Sequence, residues 1–461
     1  MASPPADVDL GKLSYEIFSL LESKFLFGGA AGVGSVPGTP ARAAAGEDRG
    51  RVRVLAIDGC GPGPGDALLA AVALARLEAA LRERAGDPDA RVADFFDAAA
   101  GAGAGGVLAA MLFLKGEDGR ARYTAADALA FVAASLGRRQ GGWGGEGARR
   151  SRWAALLFRR GERSPLRRVF GDATLRDTVA PLLVPCFDLA TAAPFLFSRA
   201  DAVESDSFDF RLRDVCAATC AGGAAAAAVR SVDGRTAIAA ASGGVAAMSN
   251  PAAAAITHVL HNKQEFPLAV GVDDLLVVSI GSGSSAAAVA ASATPSGGWQ
   301  TPIPPRSPSP AEMVRLTAEG VADMVDQAVA MAFGHTCGRN YVRIQAASPA
   351  CSGKKALSSL DAKKAVAVAD GMLTQRNVEA ELFRLRRLSE KSNREKLDAF
   401  AAELVKEHER RARSPGLPNV VIKQVAATPR PSSATTASSA TATARTASTM
   451  PSPASQGSYG H

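Results

Sequence analysis

The stretch that most constrains this chain is Val92–Leu114, VADFFDAAAGAGAGGVLAAMLFL. A short apolar run (Phe95–Ala100) meets four glycines, Gly101, Gly103, Gly105 and Gly106, and then an apolar segment of helical character. A strand that enters a helix through so many glycines belongs to an α/β protein. Glycine permits positive φ and close backbone approach there, and the helix N-terminus offers free N–H groups to an anion. A second copy of the pattern precedes it. Arg51–Ile57 alternates like a strand and runs into Asp58-Gly59-Cys60-Gly61-Pro62-Gly63-Pro64-Gly65, and Ala67–Arg84 is helical. Strand, glycine loop, helix, repeated, is the rhythm of a parallel sheet covered on both faces, with ligands at the carboxyl ends of the strands.

The remaining elements follow in order. Leu182–Phe197 reads as a strand and hairpin, Leu212–Cys220 as a helix, and Val229–Ile238 as a hairpin turning at Asp233-Gly234. Leu275–Ile280 is a buried strand ending in Gly281-Ser282-Gly283. Ala311–Phe333 and Ser358–Arg411 are expected to be helical. Leu10–Phe27 has helical periodicity and reads as a helix packed on the main domain or lying on a membrane surface. The domain reading is an N-terminal helix and linker (1–50), an α/β domain (51–285), a Ser/Pro linker (286–310), a helical C-terminal region (311–425) and a disordered Ser/Thr/Ala/Pro tail (426–461).

Charge and cysteine usage narrow the partners. The net charge of +7 favours anionic surfaces over cationic ones. Arg138–Arg168 is dense in arginine with Trp143 and Trp153 interleaved. It is either a solvated insertion or a patch for anionic headgroups; no nucleic-acid module accompanies it, so nucleic acid is not expected. Cys60, Cys186, Cys216, Cys220, Cys337 and Cys351 lack zinc spacing and read as reduced thiols. Met1–Leu10 has no signal-peptide character, and no run is long and apolar enough to span a bilayer. The expectation is a cytoplasmic protein, peripheral at most, with no metal and no cofactor. Gly101-x-Gly103-x-x-Gly106 formally fits a dinucleotide fingerprint, but the acidic residue of a following strand is missing.

In hydrolases the turn between strand and helix reads G-x-S-x-G, with serine as nucleophile. Taken together, the motifs resemble those of the patatin-like lipid acyl hydrolases of plants. The family's first signature is a strand followed by D-G-G-G-x-R-G. Asp58, Gly59 and Gly61 match it, Cys60 replaces a glycine and Gly63 stands at the arginine. The second is the elbow G-x-S-x-G-G after A-D-Y-F-D. Ala93, Asp94, Phe96, Asp97, Gly101, Gly105 and Gly106 match, while Gly103 occupies the serine position. The third is D-G-G followed by N-P. Gly243, Gly244, Asn250 and Pro251 match, and Ser242 occupies the aspartate position. Lys12–Gly28 and Gln375–Arg411 resemble the flanks of the family's third plant group.

The resemblance implies a three-layer α/β/α fold with a mostly parallel sheet. It also implies an oxyanion hole at Gly59, Cys60 and Gly61, and membrane phospholipids or galactolipids as substrates. It implies equally that both members of the Ser–Asp dyad are replaced. The chain is then either an acyl hydrolase with weak or altered chemistry or a catalytically silent lipid-binding protein; a scaffold role for the tail is a third reading. Cys60, or Ser242 with Asp58 as its base, are candidate stand-ins. Asp233 belongs to a turn, and His258, His261 and His335 lack metal partners at suitable spacing.

Overall fold

The computed structural model describes residues 50–59, 67–137, 164–221, 227–242, 250–281, 307, 310–346, 362–379, 387–413 and 420–422. The expected N-terminal helix at Leu10–Phe27, the arginine-dense stretch up to residue 163, most of the linker at 286–310 and the tail from Ala426 lie outside these residues.

Ten strands are described: β1 (Val52–Ile57), β2 (Ala98–Gly101), β3 (Leu182–Asp188), β4 (Ala193–Ser198), β5 (Ala227–Arg230), β6 (Ala237–Ser242), β7 (Leu275–Ile280), β8 (Tyr341–Ile344), β9 (Arg376–Glu379) and β10 (Arg387–Ser392). The described α-helices are α1 (Leu68–Ala85), α2 (Gly103–Phe113), α3 (Ala125–Gly137), α4 (Pro165–Phe170), α5 (Arg199–Glu204), α6 (Leu212–Thr219), α7 (Ala252–His261), α8 (Pro310–Phe333), α9 (Ala362–Thr374) and α10 (Asn393–Arg413).

β1 is the spine of an eight-stranded sheet, parallel to β2 on one side and to β7 on the other, with β8 parallel beyond β7. All six residues of β1 and of β7 are buried, as expected for strands covered on both faces. Alternation along β1 divides the core. Leu55 and Ile57 pack with α1 and α2, whereas Val52, Val54 and Ala56 pack with Ala252, Ala255 and Val259 of α7 and Phe333 of α8. Helices on both faces of a mostly parallel sheet make the three layers that the motifs imply.

β3 changes the sense of the sheet. β4 pairs antiparallel along its whole length from Leu183 to Asp188 and so occupies one edge. β2 and β6 therefore share the other edge: Leu183 pairs with Ala100, and Cys186 pairs with Ser242. β6 runs antiparallel to β3 and meets the end of β2 head-on. β5 pairs with β6 as the outer arm of the hairpin that turns at Asp233-Gly234, with Gly234 at φ 74°.

The C-terminal elements complete these layers. β8 extends the sheet past β7, and Leu397, Phe400, Ala401 and Leu404 of α10 join the core on the α1 face. Ser358–Arg411, expected to be helical, holds among its described residues α9, an antiparallel ribbon of β9 and β10, and α10. Tertiary hydrogen bonds override the local preference here. The Val378 N–H donates to the Gln345 carbonyl at 2.9 Å, and the Gln345 N–H donates to Asn377 Oδ1 at 2.7 Å.

Candidate functional site

The two glycine loops meet at the carboxyl edge of the sheet because the strands that feed them are neighbours. Ile57 pairs with Gly101, and the Ala102 N–H then donates to the Ile57 carbonyl at 3.1 Å. The backbones approach so closely that side chains are excluded. A Cβ on Gly59 would stand 1.9 Å from the Ala102 carbonyl oxygen, and one on Gly105 would stand 2.5 Å from the carbonyl oxygens of both Ile57 and Asp58. A Cβ on Gly101 would meet the Gly105 carbonyl at 2.5 Å. This contact, rather than turn formation alone, requires the glycines. Gly103 opens α2 with φ 53°, a left-handed conformation that an L side chain adopts only under strain.

Thr219, the last residue of α6, fixes that left-handed glycine. The Gly103 N–H donates to Thr219 Oγ1 at 2.8 Å, and the hydroxyl donates to the Pro185 carbonyl at 2.8 Å. Pro185 lies on β3 between the partners of β2 and β6, so the fully buried threonine bridges the place where those two strands meet. Nothing in the spacing of the sequence pointed to Thr219.

Of the residues singled out by sequence, the structure brings Gly59, Gly101, Gly103, Gly105 and Gly106 together. It sets Ser242 on β6 opposite Cys186, three residues further along β3 than the partner of Ala100. At 3.3 Å per residue that is about 10 Å along the strand, with the elbow lying between. Cys60 and Gly61 lie outside the described residues. Cys186 is no substitute nucleophile: it is buried, and burial, with Asp188 adding to it, pushes its thiol up to about 12. Among the described residues, no three His, Cys, Asp or Glu side chains form a metal-binding group.

Asp58 does not serve as a free base. Both of its carboxylate oxygens accept from Arg343 of β8, Nη1 at 2.9 Å on Oδ1 and Nη2 on Oδ2. Burial pushes the carboxyl up against the opposing effect of the guanidinium, and the bidentate geometry keeps the pair tightly coupled. Arg343 Nη1 also donates to Ser279 Oγ at 2.6 Å. That hydroxyl lies 3.5 Å from Asn250 Oδ1, the asparagine of the third motif, whose Oδ1 also accepts the Ala252 N–H at 3.0 Å. One buried arginine thus joins the first loop to the N-P turn. Below it, Tyr341 donates to Asp326 Oδ1 at 2.6 Å.

A second ionic cluster holds the opposite end of β1. Asp97 accepts from the main-chain and side-chain nitrogens of Arg53, at 2.8 Å from the main-chain N–H, and from both terminal nitrogens of Arg411 of α10, each at 2.8 Å. Burial alone would raise the Asp97 carboxyl, but the two guanidinium groups outweigh it and hold the carboxyl below its ordinary range.

Comparisons agree with the geometry. The family model described as Patatin-like phospholipase matches residues 55–256, a span that holds both glycine loops and β6. Patatin-like protein 3 of Oryza sativa subsp. indica is 54% identical over 404 residues, covering 87% of this chain and 92% of that protein. The chain belongs to the patatin-like phospholipase family. Patatin-like protein 7 of Arabidopsis thaliana is 44% identical over 442 residues, covering 92% of this chain and 86% of its own. A third patatin-like relative, named Probable inactive patatin-like protein 9 of the same plant, is 38% identical over 411 residues, covering 87% of this chain and 94% of its own. Among the described residues, no helix is long and apolar enough to cross a membrane.

Proposed function

We propose that this patatin-like chain binds membrane glycerolipids, phospholipids or galactolipids, at the carboxyl edge of its sheet and hydrolyses their acyl esters only slowly. The observation that carries the reading is Gly103: the elbow keeps its left-handed turn and its place at the head of α2, but has no side-chain oxygen. An acyl-enzyme needs a nucleophile, a base within hydrogen-bond reach and donors for the developing oxyanion. Gly103 and Ser242, at the positions of the family's serine and aspartate, supply neither alkoxide nor carboxylate. The donors in this reading are the loop at Gly59, Cys60 and Gly61 and the first-turn N–H groups of α2. Water must then attack the held ester directly, and oxyanion binding alone accelerates such a reaction by roughly 10³–10⁴ over water.

The test is fatty-acid release from phosphatidylcholine and from galactolipid by the purified full chain, paired with labelling by a fluorophosphonate. Slow release without a burst and without covalent labelling is expected. Stoichiometric labelling would reveal a nucleophile and overturn the reading. The same glycine favours a second reading, a catalytically silent lipid-binding protein, which is the outcome if lipid binds and no fatty acid is released. An anionic membrane contact through Arg138–Arg168 would add salt-sensitive binding to anionic vesicles, abolished when that segment is deleted.

A further inference from the structure

α8 turns three methionines to solvent: Met313, Met324 and Met331 are 51%, 61% and 67% exposed. Spacings of eleven and seven residues return each to within about 20° of the same direction, at 100° per residue. Thr317, Gly320 and Ala328, which lie on the same side, are exposed as well. An apolar, uncharged face thus runs about 27 Å along one helix. Single scattered apolar residues need no partner; here three align on one element.

The helix cannot rotate to hide them. Its other side buries Ala322, Val329 and Phe333, takes the Tyr341 hydroxyl on Asp326, and accepts Asn250 Nδ2 on the Ala322 carbonyl at 3.4 Å. α8 ends beside the start of β8, where Phe333 stacks on Tyr341. Ala322 sits level with Asn250 of the third motif, and the nine residues back to Met313 carry the stripe about 14 Å further toward the edge where the glycine loops open.

We propose that this methionine face rests on a glycerolipid surface whose headgroups carry no net charge, and so brings the elbow to its substrate layer. The proposal rests on the lipid reading above. A stripe about 27 Å long and one helix wide, about 10 Å, covers roughly 270 Å², well short of the ~800 Å² per partner of a stable protein pair. A second copy of the chain is therefore a poor occupant. Among the described residues of α8, the exposed positions carry no basic side chain and are flanked by half-buried Asp323, which opposes an anionic surface. Methionine, unbranched and polarisable, adapts to a fluid apolar surface without a fixed complementary shape.

The test compares the full chain with the double variant Met324→Glu, Met331→Glu in flotation with phosphatidylcholine vesicles. A parallel measurement uses short-chain phosphatidylcholine held below its critical micelle concentration. Vesicle binding should weaken by about tenfold or more in the variant, be retained in Met324→Leu, Met331→Leu, and leave the affinity for monomeric lipid unchanged. Equal vesicle binding by wild type and the Glu variant, with monomeric lipid bound by both, overturns the proposal and leaves the lipid reading standing. A wild-type dimer that the Glu variant converts to monomer, with no effect on vesicles, overturns it in favour of self-association. Failure of the wild type to bind either monomeric or vesicle lipid overturns the lipid reading and the proposal together.

Discussion

The Gly103 N–H donates to the Thr219 hydroxyl at 2.8 Å, and the hydroxyl in turn donates a hydrogen bond to the Pro185 carbonyl. The elbow is thereby tied to β3 by a side chain 116 residues away in sequence. Thr219→Val keeps the shape and leaves a buried donor and a buried acceptor without partners. It should cost about 3 kcal/mol in urea unfolding, and Thr219→Ser should recover most of that. A valine variant as stable as the wild type would show that the hydroxyl does not hold the turn.

Restoring the family's dyad tests the site more directly. Gly103→Ser places a side chain at φ 53° and should lower stability by about 1 kcal/mol. Alone it should raise fatty-acid release little. Combined with Ser242→Asp it should raise release well beyond the sum of the single changes, because nucleophile and base act as one unit. Equal rates for the single and double variants would break the link between the elbow and the β6 position.

Arg343 neutralises Asp58 inside the protein, and each group is almost fully buried. Arg343→Met should destabilise the chain by about 3–5 kcal/mol, because the carboxylate it leaves behind is unpaired. Adding Asp58→Leu should return much of that loss. A double variant no more stable than Arg343→Met would mean that the penalty comes from elsewhere, such as the bond to Ser279.

Asp97 gives the pH dependence. Its carboxyl is held below the ordinary range in the folded chain by Arg53 and Arg411. A depressed folded value contributes stability that is fully present above the unfolded pKa of about 3.9 and is lost as pH falls through the folded value. Acid unfolding below about pH 4 should therefore be shallower in Asp97→Asn, which should already be weaker at pH 7 by roughly 3 kcal/mol. Parallel stability curves for the two proteins across this range would show that Asp97 does not report the acid transition.

Much of the scaffold was legible because it is written locally. β1, α1, α2, β7 and α8 each carry their period or glycine punctuation within a few residues, and the turn at Asp233-Gly234 names itself. The glycine loops were legible as a pair but not as an interlock: that Gly59 must stay small because of the Ala102 carbonyl is a property of neighbouring strands. Asp58 was open as a base until Arg343, 285 residues later, proved to hold it. Thr219 was hidden for the same reason, since a lone threonine at a helix end has no spacing to reveal it. The ribbon of β9 and β10 was missed because what anchors it, the bonds of Asn377 and Val378 to Gln345, comes from a residue distant in sequence and not from its own composition.

The central strand has a consequence for synthesis. β1 emerges from the ribosome early, yet its second neighbour, β7, begins at Leu275, and the arginine that closes over Asp97 is residue 411. Until then a nascent chain carries an exposed strand edge and a carboxylate that lacks one of its two cations, a state that invites capture by chaperones. A chain cut at residue 256, the end of the recognised family segment, would remain in that unfinished condition permanently.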